Sequence, residues 1–69
     1  MNSLLEFTHH SIIEVYESSD FEFDAPVEEE FSAGEVIDVY ILSEDVHNYQ
    51  VQFGDGSVGI IPVSFVKKV

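Results

Sequence analysis

From Ser11 onward the apolar positions of the chain tend to recur with a period of two, the spacing of half-buried strands. The run "IIEVYE" (12–17) is rich in β-branched and aromatic residues and predicts a strand. After the turn-like "SSD" (18–20), "FEFD" (21–24) alternates, with Phe21 and Phe23 on one face and Asp20, Glu22 and Asp24 on the other. Pro26 ends that run, because it has no N–H to give to a sheet ladder. "VEEEF" follows, and "SAGE" (32–35) is a turn in which Gly34 is suited to positive φ. "EVIDVYIL" (35–42) is the strongest strand signal, and its Ile37, Val39 and Ile41 share the face expected in the core. Beyond the polar loop "SEDVHN" (43–48), "YQVQF" (49–53) points Tyr49, Val51 and Phe53 inward. "GDGS" (54–57) carries the Asp-Gly pair of a type I′ hairpin turn, and "VGIIP" (58–62) is the returning strand. Gly59 inside it predicts a bulge or a close backbone approach. "VSF" then reads as one 3₁₀ turn and "VKKV" as a closing strand.

The first ten residues are less regular. Leu4, Leu5 and Phe7 read either as a short helix, with Asn2 and Ser3 as candidate caps, or as an irregular lead-in. Two frames exist for the first strand. Either 12–17 supplies it and 18–30 is a long loop, or 21–24 supplies it and the first 20 residues are an addition; the former is favoured. The pattern therefore predicts an all-β domain, a small and partly open five-stranded barrel over 11–69, preceded by an N-terminal extension over 1–10.

Length and composition narrow this further. A chain of 69 residues makes one small domain, and such a chain buries only about 60% of its unfolded surface, so its stability is marginal. The absence of Cys excludes disulfides and thiolate metal sites and leads us to expect the cytoplasm. No apolar run approaches the roughly 20 residues of a membrane-spanning helix, and "MNSLLEFTHHSIIEV" lacks the basic start of a secretory signal. The starting Met and the compact ending lead us to expect a complete small protein. With 45% hydrophobic residues the chain should fold, unlike a disordered acidic tail.

Charge changes the functional picture most. Fourteen acids against two lysines give a net charge of −12. Phosphate backbones and anionic membranes are held by Lys and Arg, so direct binding to either is excluded as an expectation. A partner should be a protein with a basic or apolar surface. The acids are also unevenly placed: nine fall in residues 6–30 and five in 31–69, where both lysines sit.

The order "EEEFSAGEVIDV", polar loop, "YQVQF", "GDGS", "VGIIPVSFVKKV" resembles an SH3 domain. In that family an acidic loop leads to a glycine-acid turn and strand, matched by Phe31 to Ile37. The ending of glycine, two apolar residues, proline, 3₁₀ turn and last strand is matched by Gly59 to Val66. The resemblance covers about residues 12–69 and is stronger after Glu30. It implies a five-stranded SH3-like barrel and a groove that packs a polyproline II segment beside loop acids that pair with a basic ligand residue. Carried over residue by residue, the groove tryptophan falls on Tyr49, the groove proline on Pro62 and the 3₁₀ tyrosine on Phe65, with Glu28, Glu29 or Glu30 as loop acids. The departures are specific. The chain has no Trp, Phe65 lacks a hydroxyl, Ser64 replaces an asparagine, and Val15-Tyr16-Glu17 is the nearest match to the first-strand signature. Each lost polar contact weakens binding by about 0.5–1.5 kcal/mol. For Tyr49, Pro62 and Phe65, barrel packing is the favoured reading over a peptide groove.

The acids offer a second reading. Asp20, Glu22 and Asp24 would stand about 7 Å apart along one face, and Glu28, Glu29 and Glu30 add a cluster. Ordered carboxylates of this kind imitate a nucleic-acid backbone, as in small acidic inhibitors of DNA- or RNA-binding proteins from phages and mobile elements. The plainer reading is a solvated face whose charge blocks unwanted strand pairing.

Catalysis is not expected. His9 and His10 are neighbours in an irregular segment and His47 lies in a loop, with no zinc-ligand spacing and no EF-hand pattern among the acids. We therefore expect no enzyme, no cofactor and no metal. The leading expectation is a non-catalytic, acidic protein–protein interaction module that binds a basic partner; the alternative is a nucleic-acid-mimicking inhibitor.

Overall fold

The computed structural model describes residues 2–17 and 25–69. Among the described residues seven strands follow one another: β1 (Asn2–Phe7), β2 (Ser11–Tyr16), β3 (Val27–Phe31), β4 (Val36–Glu44), β5 (Asn48–Gln52), β6 (Val58–Pro62) and β7 (Val66–Lys68). A single 3₁₀ turn over Val63–Phe65 joins the last two. All lie in one antiparallel sheet of order β3-β2-β6-β5-β4-β1-β7. The expected all-β class is present, but the five-stranded barrel is replaced by a seven-stranded open sheet.

Two strands account for the difference. Residues 2–7, expected as a helix or lead-in outside the barrel, form β1 in the interior of the sheet, paired with β4 on one side and β7 on the other. Its alternation is read from Leu5 and Phe7, both fully buried, with Glu6 between them on the other face. The extension is thus part of the core, and 12–17 supplies the second strand rather than the first. β3 is the other addition. Three glutamates in five residues are poor strand formers, yet Ser11–Val15 of β2 pairs with Val27–Phe31 along its whole length. The expected turn at 18–20 and strand at 21–24 lie outside the described residues, as do Asp20, Glu22 and Asp24.

One core serves the whole sheet. Leu5 and Phe7 from β1, Ile13 and Val15 from β2, Val39 and Ile41 from β4, Val51, Ile61 and Val66 form a continuous buried cluster. Phe7 stacks on Phe31 with ring centroids 4.5 Å apart, although four strands separate β1 from β3 in the sheet order. The sheet therefore curls until its two ends share a core, and it does so without closing into a hydrogen-bonded barrel. Ile37, Val39 and Ile41 face that core as expected, Ile37 being only partly buried.

Turn chemistry fixes the curl. Gly34 takes φ 86° and donates to Phe7 O at 2.8 Å, while Phe7 N donates to Glu35 O at 2.9 Å, which ties β1 to the turn before β4. Thr8 N reaches Phe65 O at 2.9 Å and joins the same end of β1 to the 3₁₀ turn. In the Gly54–Gly56 loop only Gly56 has positive φ, at 92°, and Gly56 N donates to Phe53 O. That is a three-residue loop ending in a left-handed glycine, in place of the expected type I′ turn, which would need positive φ at both central residues. Gly59 is the predicted close approach: a Cβ there would come within 2.9 Å of the Phe53 ring. The irregularity of the ladder sits instead between Ile41 and Ser43 in β4.

Candidate functional site

A shallow depression of about 250 Å³ opens on the outer face of the sheet. Ile12 and Glu14 of β2, Ile60 and Pro62 of β6, Asn48 of β5 and Phe65 of the 3₁₀ turn line it. Its two isoleucines come from the doublets Ile12-Ile13 and Ile60-Ile61. A strand alternates faces, so one member of each doublet enters the core and its neighbour faces outward. Ile13 and Ile61 are buried, whereas Ile12 is 52% and Ile60 37% exposed. Phe65 is held in place by His9, whose ring meets it edge-on at 5.0 Å, and by the Thr8 hydroxyl, which donates to its carbonyl at 3.2 Å.

The acids of the β2–β3 hairpin divide by the same alternation. Glu14 lies directly opposite both Glu28 and Ile60, and Ile12 lies opposite Glu30. Glu28 and Glu30 therefore share the outer face with the depression, while Glu29 sits on the inner face with Val15 and Phe31. His10 contacts the Glu30 carboxylate through Nε2. Neither lysine reaches this pole: Lys67 is 3.9 Å from Glu6 and Lys68 is 3.6 Å from Glu44.

Of the predicted groove residues, Pro62 and Phe65 come together and Tyr49 does not join them. Val51 is in the core, so Tyr49 two residues earlier faces the same way, pairs with Ile61 and packs on the cluster under the Lys68 ammonium. Asn48 takes the outward place. Ile12, Glu14, Asn48 and Ile60 were not singled out by motif, but the two isoleucine doublets are the signal that marks two of them. Among the described residues no group of three or more His, Cys, Asp or Glu could hold a metal ion, and no helix is long and apolar enough to cross a membrane.

Two loop carboxylates are tied to backbone amides. Asp45 Oδ1 accepts from Asn48 N at 2.8 Å and His47 N at 2.7 Å, fixing the loop beside Asn48. Those two bonds, that from Asn48 first, hold its carboxyl below the usual range. Asp55 accepts from the Ser57 hydroxyl and amide, which lower its carboxyl likewise. A lowered folded-state pKa contributes stability that is present above the unfolded value and lost as pH falls through the folded one. Asp45→Ala and Asp55→Ala should therefore lower the thermal midpoint at neutral pH and differ little from the parent at about pH 2. A gap that persists undiminished in acid would show that these bonds do not require the charge.

No family model matches the chain, and neither the curated proteins nor the solved structures contain a significant match to it.

Proposed function

We propose that the chain is a non-catalytic interaction module that holds an extended, basic segment of a partner protein across the Ile12–Phe65 depression. One observation carries this reading: an apolar hollow and the carboxylates of Glu14, Glu28 and Glu30 share one face. Apolar area in the hollow supplies contact, and the carboxylates beside it, which no lysine of the chain reaches, select for Lys or Arg. The β2–β3 hairpin, the β4–β5–β6 meander and the 3₁₀ turn before β7 follow the order implied by the SH3 resemblance, and we read the fold as a divergent, open relative of that barrel. With Asn48 where that groove would hold an aromatic side chain, and no hydroxyl on Phe65, affinity rests on Ile12, Ile60 and charge more than on aromatic clasping.

The alternative, an acidic inhibitor that occupies a nucleic-acid-binding cleft, gains from the Glu14–Glu28 pair. Like charges directly opposite on neighbouring strands destabilise a sheet, and function is one reason to retain them. A peptide carrying prolines and a terminal arginine separates the two readings. Ile12→Ala should weaken its binding about tenfold, the loss of a few buried methyl groups. Replacing Glu14, Glu28 and Glu30 by Gln should weaken it at low salt and matter little at ~0.5 M salt. Indifference to Ile12→Ala, with all binding lost in salt, would favour the inhibitor.

A further inference from the structure

β3 is the last strand of the sheet on its side, so one edge of Val27–Phe31 has no strand partner among the described residues. Among the described residues no turn or loop bonds to the backbone of this strand either. Beside β3 the inner face of the sheet opens into a seam between that strand and the start of β4, a cleft of about 210 Å³ with Val15, Phe31, Ile37 and Phe53 in its walls and Glu29 and Asp55 at its rim. Phe31, Ile37 and Phe53 pack on the core yet remain partly exposed there. Glu17 and Glu29 continue the same acidic rim into an adjoining hollow, with Val27 beside them.

We propose that this seam is a strand-addition site for a basic, alternating segment of a partner protein. Such a segment hydrogen-bonds to the free edge of β3 and takes specificity from its alternate side chains. On the seam side its apolar residues meet Phe31 and Phe53, and on the outer side its Lys or Arg residues meet Glu28 and Glu30. Charge decides who occupies the edge. Carboxylates on an edge strand repel most extended chains, and with a net charge of −12 they repel a second copy of this chain above all. The lysines of β7 already lie beside Glu6 and Glu44. A basic strand converts the same repulsion into pairing, so the edge is selective rather than blocked. The site uses the inner face of β2 and the edge of β3 and shares only Glu28 and Glu30 with the depression, and it stands whether or not the depression binds anything.

The test titrates the full chain with a capped peptide of alternating valine and lysine, roughly six residues long, the length of an ordinary strand. Two further versions are N-methylated, one on every valine and one on every lysine, so that each has one hydrogen-bonding edge blocked. Strand addition predicts that one version binds like the parent and the other at least about tenfold more weakly, since ladder bonds are lost. Indifference to both methylations, or equal loss with both, overturns it. Glu29→Lys, at an exposed position, should weaken parent-peptide binding about tenfold, whereas Asp38→Lys, the same charge change on β4, should alter it less than about twofold. Equal losses would mean that bulk charge alone holds the peptide and would overturn the site. So would self-association of the free chain that the peptide disperses, because a second copy would then be the occupant.

Discussion

Phe7→Ala is expected to be the most damaging single change, removing about a third or more of the protein's stability. Phe7 is fully buried, stacks on Phe31 and carries the amide and carbonyl that fasten β1 to the Gly34 turn. Truncating a buried Phe costs about 3–5 kcal/mol, against a total of roughly 3–10 kcal/mol for a chain of this size. Leu4 is the control. It is next-but-two in sequence and on the other face of β1, 46% exposed, so Leu4→Ala should shift stability by about 0.5 kcal/mol or less. Urea unfolding followed by far-ultraviolet circular dichroism reads both. Near-parent stability for both variants would mean that residues 2–7 are an appendage, contrary to the core described above.

Gly59→Val should be the second most damaging single change. The Gly59 Cα lies under the Phe53 ring, and a first side-chain carbon would stand 2.9 Å from its Cε2 and 3.6 Å from Ile13 Cδ1. Elsewhere in a strand valine is a better residue than glycine, so the sign of the effect is informative. Here overpacking should cost about 1–3 kcal/mol. Shrinking the ring should relieve the clash: in the Gly59→Val, Phe53→Ala double variant the loss should fall clearly short of the sum of the two single losses. Strict additivity, or a stabilising Gly59→Val, would remove the close approach from the account. Because Phe53 also walls the seam, the same variants report on the apolar part of that cleft.

The strands from β4 to β7 were legible because each announces itself within a few residues. Val36–Glu44 and Asn48–Gln52 alternate, Gly54–Gly56 forces a reversal, and Pro62 heads the 3₁₀ turn. β1 was obscured by Leu4 beside Leu5, which breaks a period of two unless one leucine is allowed to face outward. β3 was hidden by its glutamates, since its strand state comes from pairing with β2 and not from its own preferences. The candidate site was half legible. Pro62 and Phe65 are positioned by local sequence, whereas Tyr49 and Asn48 exchange roles on a single step of register, which the core position of Val51 decides. The split of Glu28 and Glu30 from Glu29 follows only once β3 is known to be a strand.

Residue-resolved NMR of the isotopically labelled chain, titrated with the proline- and arginine-bearing peptide, tests the interaction-module reading most directly. Binding in the depression predicts saturable shifts at Ile12, Glu14, Asn48, Ile60 and Phe65 that survive ~0.5 M salt in weakened form. Shifts spread over the acidic residues and abolished by that salt, with Ile12, Ile60 and Phe65 unmoved, would contradict it.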